Sequence, residues 1–284
     1  MKVLIVFWRH FPVAVFSQNQ DIKVFTHNII FGGLSSGVGA VINKPGKENW
    51  KKSFVRGMWQ GSIGGLLNYS AKKIICFIDK KNNLGYAVPA RIISSAGNSI
   101  IQNAASNGPF LKNWSLEYGF LRFDFYANSE KKFRIRILPE SVIATAIAIP
   151  NGRFDINTSL LTGVMAFKSK ELINTNHGSH DGANYGRAFI YTNDILKNHL
   201  VSHEVIHEYQ YREFLVFNSY LKKEVAKIKE SGFKKMLTKY FYPDVPYFSF
   251  FYMLEGVESG PRYFRNYYEF EAERFATNKY VHLD

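Results

Sequence analysis

The sequence predicts an α+β protein. Small residues at helical spacing fill the N-terminal third, and period-two aromatic and β-branched runs fill the middle. The C-terminal third carries His203-Glu204-Val205-Ile206-His207 in a capped helical pattern. The expected order is a signal peptide over 1–17, a Gly-rich helical region over 18–110, then an antiparallel β meander and the motif-bearing helices over 111–284. The last two are expected to pack as one compact unit.

Length and composition bound the answer. A chain of 284 residues that is 46% hydrophobic and 16% aromatic is long and apolar enough for a sizeable core, which excludes a disordered chain. The formal charge is +13, spread as pairs such as Lys51-Lys52, Lys131-Lys132 and Lys234-Lys235. Such pairs fit a solvated surface; attraction to an anionic membrane surface is the sharper alternative. No nucleic-acid-binding signature is present, so no nucleic-acid partner is expected. The single cysteine, Cys76, excludes an intramolecular disulfide and a Cys-rich zinc site. Flanked by Ile74, Ile75, Phe77 and Ile78, it reads as a small core residue, so any metal must be held by His and carboxylates.

At the start, Lys2 precedes apolar runs at Val3–Phe7 and Phe11–Phe16, and Val15-Phe16-Ser17 offers a cleavage site before Gln18. Arg9 and His10 interrupt this pattern, and a buried strand is the alternative. An export signal implies the bacterial periplasm, the outer envelope or the extracellular space. Next come two Gly-rich segments, 31–43 and 54–69, joined by the turn-like 43–50. Gly57, Gly61 and Gly65 recur every four residues, a spacing that lets two helices approach closely. A helical hairpin with a small-residue seam is expected. Neither segment reaches the roughly 20 apolar residues of a spanning helix. A re-entrant or surface-associated hairpin is the alternative to a packed pair. Helical patterns continue over 70–79 and 89–106, the latter with an apolar stripe from Ile92 to Ala104.

The middle changes period. Leu116 to Phe125 reads as one aromatic strand with a bulge, and 128–131 as a turn. Phe133–Ile137 reads as a half-buried strand, Val142–Ile149 as a buried one, Phe154–Thr158 as its partner after the Asn151-Gly152 turn, and Leu160–Phe167 as another. The polar stretch 174–187 reads as a flexible loop, in which His177 and His180 are minor ligand candidates. Ala188–Tyr191 reads as a strand leading to the motif, placed to pair with an extended peptide.

Thr192-Asn193-Asp194 supplies N-cap residues for the motif helix, expected to run toward Tyr220. On a helix His203 and His207 share a face and can ligate one metal, while Glu204 can act as general base toward a metal-activated water. Gln210 points to the same side as His207. His199 reads as a solvated neighbour, with a supporting or substrate-contacting role as the alternative, and Glu208 as a surface or supporting residue. A catalytic zinc needs a third protein ligand. Downstream, Tyr268-Glu269-Phe270-Glu271-Ala272-Glu273-Arg274-Phe275-Ala276 resembles the third-ligand helix of gluzincin metallopeptidases. The nearest likeness is to the HtpX-like group, whose helix reads Glu-x-x-Ala-Asp-x-x-Ala. The resemblance covers only these two short segments and not that group's transmembrane helices. It implies Glu269 as third ligand, Ala272 and Ala276 as close-packing residues, and Glu273, in place of Asp, orienting a ligating His. It further implies Zn²⁺ as cofactor and a peptide or protein substrate. Oxyanion stabilisation could come from Tyr263, Tyr267 or Arg262. The alternative reading is a non-enzymatic envelope protein acting through its Gly-rich hairpin and basic surface.

Overall fold

The structure is a computed structural model that describes residues 19–127, 129, 132–175, 178–192, 197–222, 231–243, 245–259, 265–277 and 281. The proposed signal segment lies outside the described residues. The class is α+β.

The N-terminal third is helical, as its spacing predicts. Helix α1 spans Gln20–Asn43 and α2 spans Trp50–Lys80, each capped by an asparagine side chain (Asn19 and Asn49) that accepts from a first-turn amide. A third helix, α3, spans Ala87–Ala105. The α1–α2 seam is made of small residues. A Cβ on Gly61 would lie 2.1 Å from the Gly32 carbonyl, and one on Gly65 would lie 2.2 Å from the Asn28 carbonyl. Only glycine permits that approach. Helix α1 starts earlier than its Gly-rich segment, so by length and composition it could cross a membrane, yet half of its most apolar window is buried inside the protein.

The middle departs from the expected five-stranded meander. Strands β1 (Asn113–Tyr118), β2 (Leu121–Tyr126) and β3 (Phe133–Ile137) form a three-stranded antiparallel sheet. The bulged strand is thus two strands, joined through Gly119 at φ +55°. The buried strand is instead helix α4, Pro139–Ala148, started by proline in its first turn and packed through Ala144 and Ala148, with Ile143 60% exposed. After β4 (Arg153–Phe154), the expected partner strand is helix α5, Ile156–Thr162, capped by Asp155 and ended by Gly163 in the left-handed region. Short β-branched runs fit a helix as well as a strand, and here the caps decide.

The second sheet joins β4, β5 (Met165–Lys168), β8 (Gly182–Asn184) and β9 (Ala188–Tyr191) in the order β4-β5-β9-β8, with β5 and β9 parallel. The stretch read as a loop therefore holds β8 and a small ribbon of β6 (Ile173–Thr175) and β7 (Gly178–His180). Strand β9 is internal, so it has no edge to offer a peptide; among the described residues the edge strands of this sheet are β4 and β8.

Helix α6 spans Lys197–Phe214 and passes into a 3₁₀ segment over Leu215–Leu221. Of its expected cap, Asn193 and Asp194 lie outside the described residues. Helices α7 (Gly232–Tyr240), α8 (Tyr247–Ser259) and α9 (Tyr267–Thr277) complete the chain. One core cluster runs from Val24, Phe31 and Ile75 through Val205 and Phe214 to Phe270 and Phe275. The N-terminal hairpin and the motif helix therefore share a single interior. Cys76 lies in the hairpin at 5% exposure, where burial raises its thiol pKa. The two ends of the chain also meet: the Gln20 side-chain amide donates to the Val281 carbonyl at 2.6 Å and accepts from the Val281 amide at 2.9 Å.

Candidate metal centre

Helix α6 is buried on almost every side, and three polar faces leave it. The first carries the motif. His203 and His207 stand one turn apart, their Nε2 atoms 3.1 Å from each other. Helix α9 crosses opposite and brings Glu269 Oε2 to 3.1 Å from His203 Nε2 and 3.4 Å from His207 Nε2. All three residues are buried, at 8%, 5% and 3% exposure. Tetrahedral ligands about 2.0–2.1 Å from zinc stand roughly 3.3 Å apart, so this triangle has the dimensions of a zinc site. Among the described residues this is the group of His and carboxylate side chains close enough to hold a metal ion. His180 stands outside it, in β7, and His177 lies outside the described residues.

Each ligand atom is aimed by a partner behind it. His207 Nδ1 lies 2.8 Å from Gln210 Oε1. Gln210 Nε2 donates to the Tyr268 carbonyl at 3.0 Å and to Glu271 Oε2 at 2.9 Å, which leaves its Oε1 facing the imidazole. His207 must then carry its proton on Nδ1 and present a bare Nε2 to the cluster. His203 Nδ1 faces Glu273 Oε2 at 3.3 Å, so the longer carboxylate in place of Asp still reaches its histidine. His199, read as a solvated neighbour or a supporting group, stands 3.5 Å from the same Glu273 oxygen. The Tyr252 hydroxyl, on α8, donates to Glu269 Oε1 and leaves Oε2 for the triangle.

The charges respond to this crowding. Burial opposes the charged imidazole of His203, but hydrogen bonds to Glu269 and Glu273 outweigh it and hold the pKa up at about 10. Burial likewise opposes ionisation of Glu269, and the two histidines hold it well below the usual carboxylate range.

Glu204 occupies the next position round the helix. Its Oε2 is buried and has no hydrogen-bond partner among the described residues. Burial raises its pKa, against the pull of His203 and His207. Strand β8 lies beside it: Asn184 donates to the Glu204 carbonyl at 3.0 Å, and a Cβ on Gly182 would lie 2.7 Å from Glu204 Oε1. A substituent at Gly182 would therefore displace this carboxyl group.

The second polar face of α6 runs into the N-terminal hairpin, which the sequence does not connect with the motif. Lys72 is wholly buried and donates to Glu271 Oε2 at 2.9 Å, to Asn28 Oδ1 at 3.0 Å and to Glu213 Oε2 at 3.1 Å. Asn28 also donates to Glu271 Oε1 at 2.7 Å. Lys72, Glu271 and Gln210 thus form a chain of contacts ending on His207. Lys72 was visible as a lysine on the seam of Gly57, Gly61, Gly65 and Asn68, a place that otherwise holds small or apolar residues. Tyr267, an oxyanion candidate, faces this hairpin instead: its hydroxyl donates to Glu271 at 3.4 Å and its ring lies 4.1 Å from His27. Tyr263 and Arg262 lie outside the described residues.

The third face corrects the reading of Glu208. It is 3% exposed and binds Arg187 at 3.1 Å and Arg212 at 3.0 Å. Arg187 and Arg122 continue to Glu117, and Arg122 and Arg136 to Asp124. A cavity of about 300 Å³ borders this network at Arg122, Arg136 and Tyr242, away from the histidines. No protein-family model, curated protein or solved structure matches the chain, so the site stands on its own geometry.

Proposed function

We propose that the chain is a zinc-dependent metallopeptidase of the gluzincin type, with His203, His207 and Glu269 as metal ligands and Glu204 as general base. The observation that carries this reading is the 3.1–3.4 Å triangle of two imidazole nitrogens and one carboxylate oxygen, with an unpartnered Glu204 oxygen adjoining it. Zinc bound there would act as a Lewis acid on a scissile carbonyl and would acidify a water molecule.

The remaining roles belong to the chain. Gln210 and Glu273 hold the imidazoles with Nε2 toward the triangle. Tyr252 fixes the Glu269 carboxylate in a one-oxygen presentation. Glu204 takes the proton of the attacking water at Oε2 and returns it to the departing amine nitrogen. Its raised pKa suits that exchange, because a base that must also serve as an acid works best near the operating pH. Strand β8, an edge strand among the described residues and next to Glu204, would give an extended peptide a backbone to pair with. The N-terminal segment, read as an export signal, extends the proposal to an envelope or extracellular enzyme. The non-enzymatic alternative needs the Gly-rich hairpin at the surface, whereas those glycines are spent on helix contacts inside the molecule.

The test pairs metal analysis with hydrolysis of a generic peptide library. Glu204→Gln should keep stoichiometric zinc and lower the hydrolytic rate by roughly 10²–10⁴-fold. Peptidase activity equal to the parent's in that variant would sink the mechanism.

A further inference from the structure

The sheet β1-β2-β3 has its polar face inside. On β2, Arg122 and Asp124 are 4% exposed, and Asp124 stands opposite Ser115 of β1 at 8%. The alternate positions face outward: Trp114 pairs with Phe125 and Phe125 with Phe133, and these rings are 38%, 38% and 48% exposed. An antiparallel sheet that packs on a helix ordinarily buries its apolar face. Core packing therefore does not account for this sheet. The helix beneath it is matched to it. Ser99, Gln102, Asn103 and the C-cap Ser106 recur at helical spacing along α3 and share one polar face. Between these two polar faces lies the cavity of about 300 Å³, bordered on a further side by Asn218, Lys222 and Tyr242. That volume is at the lower end of the range for small-molecule sites. Buried amides and hydroxyls cost desolvation energy unless polar atoms meet them.

The lining sets the chemistry of the occupant. Asp124 is the one carboxylate there, and it is already held by Arg122 at 2.9 Å and Arg136 at 2.6 Å. Arg136 reaches it through Nε and Nη2, and its Nη1 has no acceptor among the described residues. The Lys222 ammonium has none among them either; burial and the neighbouring Lys112 lower its pKa. The donors left over in the wall are thus cationic, which calls for an anion. Neutral groups stand beside them. Gln102 accepts from Arg122 through Oε1 and keeps its Nε2 donors, and Asn113 and Ser106 add an amide and a hydroxyl. Pro243 is the one aliphatic residue in the lining, so an apolar molecule would find no wall to cover it.

We propose that this cavity binds a small hydroxylated anion, a sugar ring that carries a phosphate or carboxylate group. Arg136 and Lys222 take the anionic group, and Gln102, Ser106 and Asn113 take the ring hydroxyls. Arg122 supports the wall: its guanidinium is already committed to Glu117, Asp124, Gln102 and Ser115. The site is separate from the histidine cluster, and the proposal does not depend on the peptidase reading.

The experiment is isothermal titration of the full chain with glucose phosphate, glucuronate, glucose and inorganic phosphate. One or both sugar anions should bind about tenfold or more tightly than glucose and than inorganic phosphate. Lys222→Gln, at an exposed position, should weaken that binding about tenfold and reduce its salt dependence. Ser106→Leu places an aliphatic side chain in the cavity and should abolish it. Lys51→Gln, exposed on α2 and outside the lining, should bind as the parent does. Circular dichroism checks that each variant folds, and Lys222→Gln decides the matter if Ser106→Leu does not. No binding of either sugar anion would overturn the proposal, since the polar faces would then enclose water alone. Inorganic phosphate bound as tightly as the sugar anions would overturn it too, as would a folded Lys222→Gln or Ser106→Leu variant that binds like the parent.

Discussion

Two buried ionic clusters flank the same helix and are built on opposite principles. In the arginine cluster, Arg122, Arg136, Arg187 and Arg212 meet Glu117, Asp124 and Glu208, and every one of these side chains touches an opposite charge at 3.1 Å or less. Its cations are covalent parts of the chain. In the histidine cluster, two imidazole nitrogens from α6 and one carboxylate oxygen from α9 converge with no Arg or Lys among them. The difference teaches where to look for function in a buried polar interior. A cluster that pairs its carboxylates with the chain's own guanidinium groups is explained by the fold, whereas one that gathers two imidazoles and a carboxylate without such a cation has the donor set of a metal site.

Several substitutions would break or sharpen that contrast. The largest effect is expected for Glu269→Ala, which removes the one ligand supplied by α9 and should leave the purified protein without stoichiometric zinc by elemental analysis; unchanged zinc would move the third ligand elsewhere. Arg187→Met takes one partner each from Glu117 and Glu208, which keep Arg122 and Arg212, and should cost about 1–3 kcal/mol in urea unfolding. Its folded fraction should keep the parent's zinc content, because the arginine cluster does not touch the ligands. Gln210→Leu should keep the fold and weaken zinc affinity roughly 10–100-fold in a chelator competition, by releasing the His207 ring. If affinity held, the Lys72–Glu271–Gln210 chain would be scaffolding alone.

The smallest effect lies in the acid limb. Burial opposes ionisation of Glu117, but Arg187, Arg122 and Arg212 hold its pKa down at about 2, against an ordinary 4.5. A depressed carboxylate stabilises the fold above its unfolded pKa. That contribution should be complete above about pH 4.5 and lost as pH falls toward 2, visible as a falling urea midpoint. Arg187→Met should flatten this limb.

The legible parts of the fold were those with local causes. Glycines at four-residue spacing, the apolar stripe from Ile92 to Ala104 and the His203/His207 pair act over a turn or two, and α1, α2, α3 and α6 follow from them. Helices α4 and α5 were misread because Val142, Ile143, Ile147 and Ile149 suit a strand as well as a helix, while the Pro139 start and Asp155 cap fix the outcome. The parallel pairing of β5 and β9 was hidden, since it depends on a connection through β6, β7 and β8. Within the site, His203 and His207 share a readable motif spacing, and Glu269 was legible through the resemblance of its helix. Lys72 and Glu208 do not: their partners Glu271 and Arg187 are 199 and 21 residues away in sequence, and no local pattern links them. Tyr252 was hidden for the same reason, one aromatic among many until α8 crosses α9.

The clasp between Gln20 and Val281 has a consequence in time. It joins residues 261 apart, and the chain of contacts from Lys72 to Glu271 spans 199. Contacts of such separation form late, after the loop-closure entropy of the intervening chain has been overcome. A growing or translocating chain would display the His203/His207 pair for some time before α9 arrives to complete it. The centre would then mature only in a finished molecule, which withholds its chemistry from every partly made copy.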